Sequence, residues 1–421
     1  MTFTLHVDGP RWRTHSALVR DSVREAITSD QVSGDLVAVV KGNGYGFGNA
    51  RLVSEAQRLG LTRIAVGTIF EAAELAHLTD ADILVLTPFE PRDLTASRVW
   101  HEVANGPHHE RVIRTVASQG AWDALAGGPG PVRVVLEGLT SMGRFGMSAD
   151  DIVTLLTAAD AAEVLISGRI QLEGLALHLP LVQPPINHRA IPGARWHDAQ
   201  VAPVPPAGLT ARGTEAWRWG LGWQAVLADL SERLDSSPDV HGQQALTALT
   251  SAAALWISHL EDPELRALRA ALPDIELFPR TGTRLWLGDR GAFTAKGTVL
   301  AVNQVSKGTT SGYRQRRAPG NGAILVVGGG TAHGVALSAP SALSSMRQRA
   351  VAAGTGVLDA TGRSLSPFIV AGAQRWFVEP PHMQVSLIHV PAGIAVPGVG
   401  DEVTVEVRMT TAHFDLTLGL D

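Results

Sequence analysis

The chain has 421 residues, of which 45% are hydrophobic and 18% are charged, with a formal net charge of −5; this is typical of a globular protein that buries a large core. Charges of both signs are mixed without a basic stripe, so nucleic acid is not an expected partner. The absence of cysteine excludes disulfides, thiolate nucleophiles and thiolate metal ligands, and we predict no metal site. We expect a cytoplasmic protein without membrane contact, because no apolar run approaches the roughly 20 residues of a membrane span and the N-terminus does not have the pattern of a signal peptide.

Short apolar runs alternate with amphipathic stretches from about residue 35 to residue 288. Runs such as "DLVAVVK" at 35–41 and "VRVVLEG" at 132–138 are typical of buried parallel strands, whereas "ARLVSEAQRL" at 50–59 is typical of a helix with one apolar face. Repeated β–α units predict a parallel sheet, either open or closed into a barrel. A Pro-rich stretch near 180–210 has no clear period, and long loops of this kind often cover active sites.

The pattern changes near residue 289. Runs such as "TVLAVNQV" at 298–305 and "MQVSLIHV" at 383–390 follow one another at short spacing, with Gly and Pro between them. This pattern predicts a mostly antiparallel β domain over residues 289–421.

The stretch "VVKGNGYGFG" at 39–48 places a lysine at the end of a predicted buried strand and four glycines and a tyrosine after it. The carboxyl ends of barrel strands carry the chemistry of α/β barrels, and partial burial favours a neutral, more nucleophilic amine on Lys41. A lysine that extends to solvent ahead of a flexible loop explains the same residues. On this stretch alone, both alternatives stay open.

The same stretch resembles the pyridoxal phosphate (PLP) signature of the alanine racemase family. Further motifs resemble that family in the same order: "TSMGRFG", "EGLALH", "LTSAAAL", "FPRTGTRLWLG" and "SKGTTSGYRQRRA". The resemblance extends over nearly the whole chain and implies a (β/α)8 TIM-type barrel followed by a β-rich C-terminal domain. It places the barrel at residues 10–288 and joins an N-terminal strand at 1–9 to the second domain.

The resemblance implies a PLP-dependent amino-acid racemase or epimerase with two bases, Lys41 on one face of the substrate and Tyr313 on the other. Tyr313 would come from the partner subunit, which implies a head-to-tail homodimer with shared active sites. The further residues that it assigns to catalysis are Arg144, His178 and Glu137. It assigns to the cofactor Lys41, Tyr45, His178, Ser251, Arg280 and the amides of Gly282 and Thr283, and to the substrate carboxylate Arg144 and Met383.

Four features depart from the family pattern. Glu137 stands where many members carry a carbamylated lysine, and we expect its coded carboxylate to hold Arg144 in the same way. In "GTAHG", Thr331 replaces an entrance tyrosine and His333 replaces an acid, while the chain ends without the family's C-terminal tyrosine and Gln384 replaces an aspartate. The loss of bulk at the entrance predicts a substrate larger than alanine.

Two other functions stay open at this point. One is a PLP-dependent decarboxylase or other α-carbon lyase on the same barrel. The other is a non-enzymatic PLP-binding protein. An arginine can only donate to the cofactor's ring nitrogen, so Arg280, together with the pairing of Lys41 and Tyr313, favours racemisation over lyase chemistry. The second domain argues against the non-enzymatic alternative.

Overall fold

The computed structural model describes residues 2–29, 32, 34–183, 204–235, 249, 252–337 and 364–421. The chain divides into two compact units. The barrel unit comprises Ser16–Lys41 and Asn49–Trp286, and the β unit comprises Met1–His15, Gly42–Gly48 and Leu287–Asp421. Most of the predicted Pro-rich stretch lies outside the described residues. Among the helices that are described, none is long and apolar enough to cross a membrane.

Eight parallel strands of the barrel unit close into a barrel in chain order, which confirms the predicted barrel. Each strand contributes at least one buried apolar side chain to the cluster inside the barrel, among them Val39, Ile113 and Phe278. The strands are β2 (Val37–Val39), β3 (Arg63–Val66), β4 (Asp82–Val85), β5 (Val112–Val116), β6 (Val132–Gly138), β7 (Ile170–Leu177), β8 (Ala254–Ser258) and β9 (Glu276–Thr281). Because all eight strands run in the same direction, their carboxyl ends lie on one rim.

Side chains at the start of some helices accept hydrogen bonds from the first backbone amides, as α3 illustrates. The described α-helices are α1 (Gly9–Ile27), α2 (Asn49–Arg58), α3 (Ile69–Leu75), α4 (Leu94–Ala104), α5 (Gln119–Ala126), α6 (Ala149–Thr157), α7 (Ala159–Ile166), α8 (Ala211–Asp235), α9 (Asp262–Ala271) and α10 (Thr283–Leu287). Before α3, the Thr68 side chain accepts from the amide of Glu71 while the Glu71 carboxylate accepts from the amide of Thr68, which satisfies two amides at the start of the helix.

The β unit is built on an eight-stranded, largely antiparallel sheet, which confirms the predicted β-rich domain. Its strands are β1 (Phe3–Val7), β10 (Phe293–Val305), β13 (Gly322–Gly328), β14 (Leu365–Val370), β15 (Ala373–Phe377), β16 (Val385–Pro391), β17 (Glu402–Val405) and β18 (Leu416–Leu418), with a separate hairpin of β11 (Thr310–Ser311) and β12 (Arg316–Arg317). The order across the sheet is β13-β16-β15-β14-β17-β10-β1-β18. Strand β1 pairs antiparallel with β10 and parallel with β18. Phe3, Val299 and Phe368 are fully buried in the core of this unit.

Candidate active site

Polar side chains gather at the carboxyl ends of four barrel strands. Lys41 follows β2, Glu137 is the next-to-last residue of β6, His178 follows β7 directly, and Arg280 is the next-to-last residue of β9. The closed parallel barrel therefore brings four of the sequence-predicted residues to one rim, at the position where barrels of this type carry their chemistry.

The Lys41 amine lies in a partly buried, cationic environment. Burial lowers its pKa, and the guanidinium groups of Arg144 and Arg280 lower it further. The carboxylate of Glu71 opposes this shift without cancelling it. The neutral amine is therefore more accessible than that of a solvated lysine, and a neutral amine is the form that attacks a carbonyl carbon.

The glycine-rich segment after Lys41 has a fixed conformation within the β unit. The side-chain amide of Asn43 donates to the carbonyl oxygens of Met409 and Ala412, at 2.8 and 2.6 Å. Gly46 has a φ of +89°, and a Cβ added there would lie 2.7 Å from the Met409 side chain, so only glycine fits. The backbone of Tyr45 is also in the left-handed region, with φ +53°. Tyr45 is 7% exposed, and burial raises the pKa of its hydroxyl to about 12.

Two histidine rings face each other on the rim. His178 follows β7 and His259 follows β8, and their ring centres are 5.1 Å apart in an edge-to-face arrangement. Burial lowers the pKa of His178 to about 2, with further contributions from Arg280 and Arg144. Burial also lowers the pKa of His259 to about 4. Both imidazoles are therefore neutral at neutral pH. No motif in the sequence assigned a role to His259, although its position after the apolar run "ALWIS" matches that of His178 after "GLAL".

The expected pairing of Glu137 with Arg144 is not present. Within the described part of the chain, no hydrogen bond or ion pair joins these two residues, and one carboxylate oxygen of Glu137 has no hydrogen-bond partner there. Burial raises the pKa of Glu137, and Arg280 opposes this more strongly than Arg144 does. The reason is local: Glu137 is 2% exposed inside β6, whereas Arg144 lies on an exposed turn after that strand, with its guanidinium 5.1 Å from the Phe145 ring.

Arg280 presents an unused donor to the barrel interior. One terminal nitrogen donates to the carbonyl oxygen of Leu177 at 2.8 Å, while its Nε has no partner among the described residues. Burial lowers the pKa of Arg280 to about 10, which leaves it protonated at neutral pH. Gly282 and Thr283 follow β9 directly, at the junction with α10.

Ser251, which the family resemblance assigns to the cofactor, lies outside the described residues. The strand that follows it in the chain, β8, begins at Ala254, and His259 follows the carboxyl end of that strand.

Tyr313 is presented on a turn of the β unit. The buried carboxylate of Glu379 accepts hydrogen bonds from the amides of Tyr313 and Arg314, at 2.9 and 3.0 Å, and from Nε2 of His382 at 2.6 Å. Burial opposes the charge on Glu379, but these hydrogen bonds outweigh it and lower the pKa of the carboxyl. The Tyr313 ring lies 4.5 Å from the His382 ring, yet it remains 86% exposed. The phenol thus projects outward from a turn that hydrogen bonds to Glu379 hold in place.

A groove of ≈ 650 Å³ surrounds Tyr313 within the β unit. Met383, 70% exposed, and Thr331 line it together with Pro380 and Pro381. His333, which replaces an acid of the family motif, does not line this groove: its ring is buried, accepts from the amide of Gly330 and faces Asp415.

Comparison with known proteins identifies one family. Residues 21–195 match the model of the alanine racemase N-terminal domain. The alanine racemase of Levilactobacillus brevis is 29% identical over 168 residues, which cover 40% of this chain and 43% of that protein. The match therefore spans less than half the length of this curated relative.

Solved structures share the fold over nearly the whole chain. Alanine racemase from E. faecalis has a TM-score of 0.59 at 17% identity, covering 99% of this chain and 97% of that one. A Bartonella henselae alanine racemase with covalently bound pyridoxal phosphate has a TM-score of 0.56 at 14% identity, covering 98% of both chains. A histidine racemase from Leuconostoc mesenteroides subsp. sake has a TM-score of 0.51 at 18% identity, covering 96% of this chain and 87% of that one.

Proposed function

Because this chain is a divergent member of the alanine racemase family, we propose that it is a PLP-dependent amino-acid racemase. The observation that carries the proposal is the pair of Lys41 and Arg280 on one rim. Lys41 is a partly buried amine whose pKa is lowered by its surroundings, and Arg280 is a buried guanidinium whose Nε–H has no partner among the residues that the structure describes. A cofactor with a carbonyl group and an aromatic ring nitrogen would bind both groups, the carbonyl carbon with the amine and the ring nitrogen with the guanidinium.

The residues at this rim fit PLP. Lys41 would hold the cofactor covalently, and the unused Nε–H of Arg280 would donate to its ring nitrogen. His178, Tyr45 and the amides of Gly282 and Thr283 would complete its binding site. When bound, PLP supplies an electron sink for the substrate carbon that loses its proton. The Bartonella henselae alanine racemase, which has the same fold, holds pyridoxal phosphate covalently.

Racemisation requires a proton acceptor on each face of the substrate carbon. Lys41 would take or return the proton at Nζ on one face. Tyr313 would do so at its phenolic oxygen on the other, and its 86% exposure suits a residue that completes a site in a partner subunit. The protein would accordingly act as a head-to-tail homodimer, with a small-molecule amino acid as the substrate and Arg144 and Met383 beside its carboxylate.

Arg280 favours racemisation over lyase reactions, which require stronger withdrawal of electrons from the substrate carbon. An arginine donates and cannot accept a proton, and a pKa near 10 keeps this one charged at neutral pH. Facing a cofactor ring nitrogen, this guanidinium would donate a hydrogen bond without giving up its proton. Weaker electron withdrawal by the ring would leave the electron pair near the substrate carbon, which would favour return of the proton.

The substrate that fits best is larger than alanine. The groove around Tyr313 is wide, and Thr331 lines it where the family carries a tyrosine. Each additional methylene in an apolar pocket contributes about 1–3 kcal/mol of discrimination, so an open pocket favours longer side chains. The fold also occurs in a protein named histidine racemase, whose substrate name denotes a larger side chain.

The test is chiral chromatography of single amino acids incubated with the purified protein and added PLP. We expect the opposite enantiomer to form from at least one amino acid larger than alanine, with a higher kcat/KM than for alanine. Alanine preferred over every larger amino acid would contradict the substrate assignment. Loss of the carboxylate instead of inversion would assign the protein to the lyases.

A further inference from the structure

A second cavity lies in the barrel unit, away from the residues assigned above. It has a volume of ≈ 280 Å³ and is lined by residues of β5, α4 and α5. Arg114 of β5 lines it, and so do Trp100 and His101 of α4. None of the residues that we assign to the racemase site belongs to its lining.

Arg114 points away from the barrel interior. Its neighbour Ile113 belongs to the cluster inside the barrel, and successive residues of a strand face opposite sides. The guanidinium therefore lies in the layer between strands and helices, where it is 8% exposed. Its carbon centre is 4.7 Å from the Trp100 ring and 5.6 Å from the Phe89 ring.

This cation has no acceptor among the described residues. In the part of the chain that the structure describes, neither a hydrogen bond nor an ion pair reaches the Arg114 side chain, and its two aromatic contacts are the interactions found there. Burial lowers the pKa of Arg114 to about 10, and no carboxylate opposes the shift. The group stays charged at neutral pH, and a mostly buried guanidinium is stabilised by a carboxylate that accepts from it. A counter-ion in the cavity would supply this acceptor.

We propose that this cavity binds a small carboxylate with an apolar body, whose oxygens accept from Arg114. The lining is apolar around the guanidinium, with Phe89, Trp100 and Leu125 among its residues, which suits a hydrocarbon or aryl group. One guanidinium balances one negative charge, which favours a monoanion over a phosphate carrying nearly two. The proposal does not depend on the racemase assignment.

Two further polar groups in the lining offer acceptors, which suit a hydroxyl on the apolar body of the ligand and not its carboxylate. Nδ1 of His109 is 3.0 Å from the carbonyl oxygen of Gly106; a carbonyl only accepts, so this nitrogen carries the hydrogen and Nε2 remains as the other polar atom of the ring. The side-chain nitrogen of Asn105 donates to the carbonyl oxygen of His101, at 2.7 Å. Its side-chain oxygen remains for a donor, such as a hydroxyl on the ligand.

Isothermal titration of the full-length holoprotein with benzoate, acetate and inorganic phosphate, at constant ionic strength, tests the proposal. Arg114→Met removes the charge and keeps much of the apolar stem. Arg98→Met is the matched control, because Arg98 carries the same charge on the exposed face of α4. We expect saturable benzoate binding that weakens roughly 10- to 100-fold in Arg114→Met, the effect of losing a charge-assisted hydrogen bond. Arg98→Met should bind as the wild type does, and acetate should bind more weakly than benzoate.

The cofactor site is cationic and attracts carboxylates too, so PLP absorbance is recorded during each titration to separate binding there. Ala104→Leu, which fills the cavity and leaves Arg114 in place, should also abolish the signal and serves if Arg114→Met does not fold. Absence of saturable benzoate binding to the wild type, or equal binding by Arg114→Met, would overturn the site. Phosphate binding tighter than benzoate would overturn the carboxylate assignment.

Discussion

Replacing Glu379 by glutamine should slow proton transfer at Tyr313 while leaving the Lys41 side of the reaction intact. Glu379 is 4% exposed and accepts from two consecutive amides and from His382. A glutamine side chain has one acceptor oxygen, and its NH2 group cannot accept. At least one of the two amides therefore loses its partner, and the turn that carries the phenol loosens.

The size of the effect follows from these contacts. A buried donor left without an acceptor costs about 1–3 kcal/mol. If that free energy appears entirely in the activation barrier, the rate of the Tyr313 step falls by about 5- to 150-fold. The covalent attachment of PLP should not change, because Lys41 and Arg280 belong to the barrel unit.

The assay measures by NMR the rate at which the Cα proton exchanges with deuterated solvent, starting from each enantiomer separately. We expect exchange to slow on the Tyr313 side and to persist on the Lys41 side. Glu402→Gln is the matched control, because Glu402 is another histidine-bound carboxylate of the β unit without contact to the Tyr313 turn. Equal slowing on both sides, or no slowing in Glu379→Gln, would refute the positioning role of Glu379.

Other predictions test the cofactor, the second base and the buried histidines. Borohydride reduction followed by peptide mapping should place the PLP label on Lys41, because its amine has the lowered pKa. Tyr313→Phe should slow racemisation in both directions by about 10²–10⁴-fold, the usual contribution of a general base, while exchange from one enantiomer persists. The lowered pKa values of His178 and His259 mean that the unfolded chain binds more protons below pH 6.5, so stability falls as the pH falls. For His259 alone, urea unfolding should show a loss of roughly 1.5 kcal/mol between pH 6.5 and pH 5, which His259→Gln should remove.

Each of these predictions has a contrary result. Label on a different lysine would remove Lys41 from the cofactor site. Equal exchange from both enantiomers in Tyr313→Phe would remove Tyr313 from the mechanism. An unchanged pH dependence of unfolding in His259→Gln would show that this ring is not held neutral by its surroundings.

The sequence predicted the barrel and the β-rich second domain, because buried parallel strands and antiparallel strands leave different patterns. It missed β5 and β8, however. The run "RVIRTV" carries Arg114 inside β5, and a charged residue disguises a strand that is buried on both faces. The run "ALWIS" of β8 overlaps "LTSAAAL", the motif that carries Ser251 of the expected cofactor site, so the sequence did not indicate that His259 follows a strand.

Contacts between distant residues account for the rest. Glu379 is 66 residues from Tyr313 along the chain, and nothing in the local pattern around either residue predicts their hydrogen bond. The expected ion pair of Glu137 and Arg144 is not found among the described residues, for a related reason. A spacing of seven residues does not reveal that one lies inside a strand and the other on an exposed turn.

Two-base racemisation is tested most directly by proton NMR of the holoprotein in deuterated water with each enantiomer of a reactive amino acid, combined with chiral analysis of the same samples. A two-base racemase predicts loss of the Cα proton signal from both enantiomers and convergence of both samples to equal amounts of the L and D forms, with the carboxylate retained. Lys41→Ala should abolish both the exchange and the inversion. Exchange without inversion, or loss of the carboxylate, would contradict the proposed function.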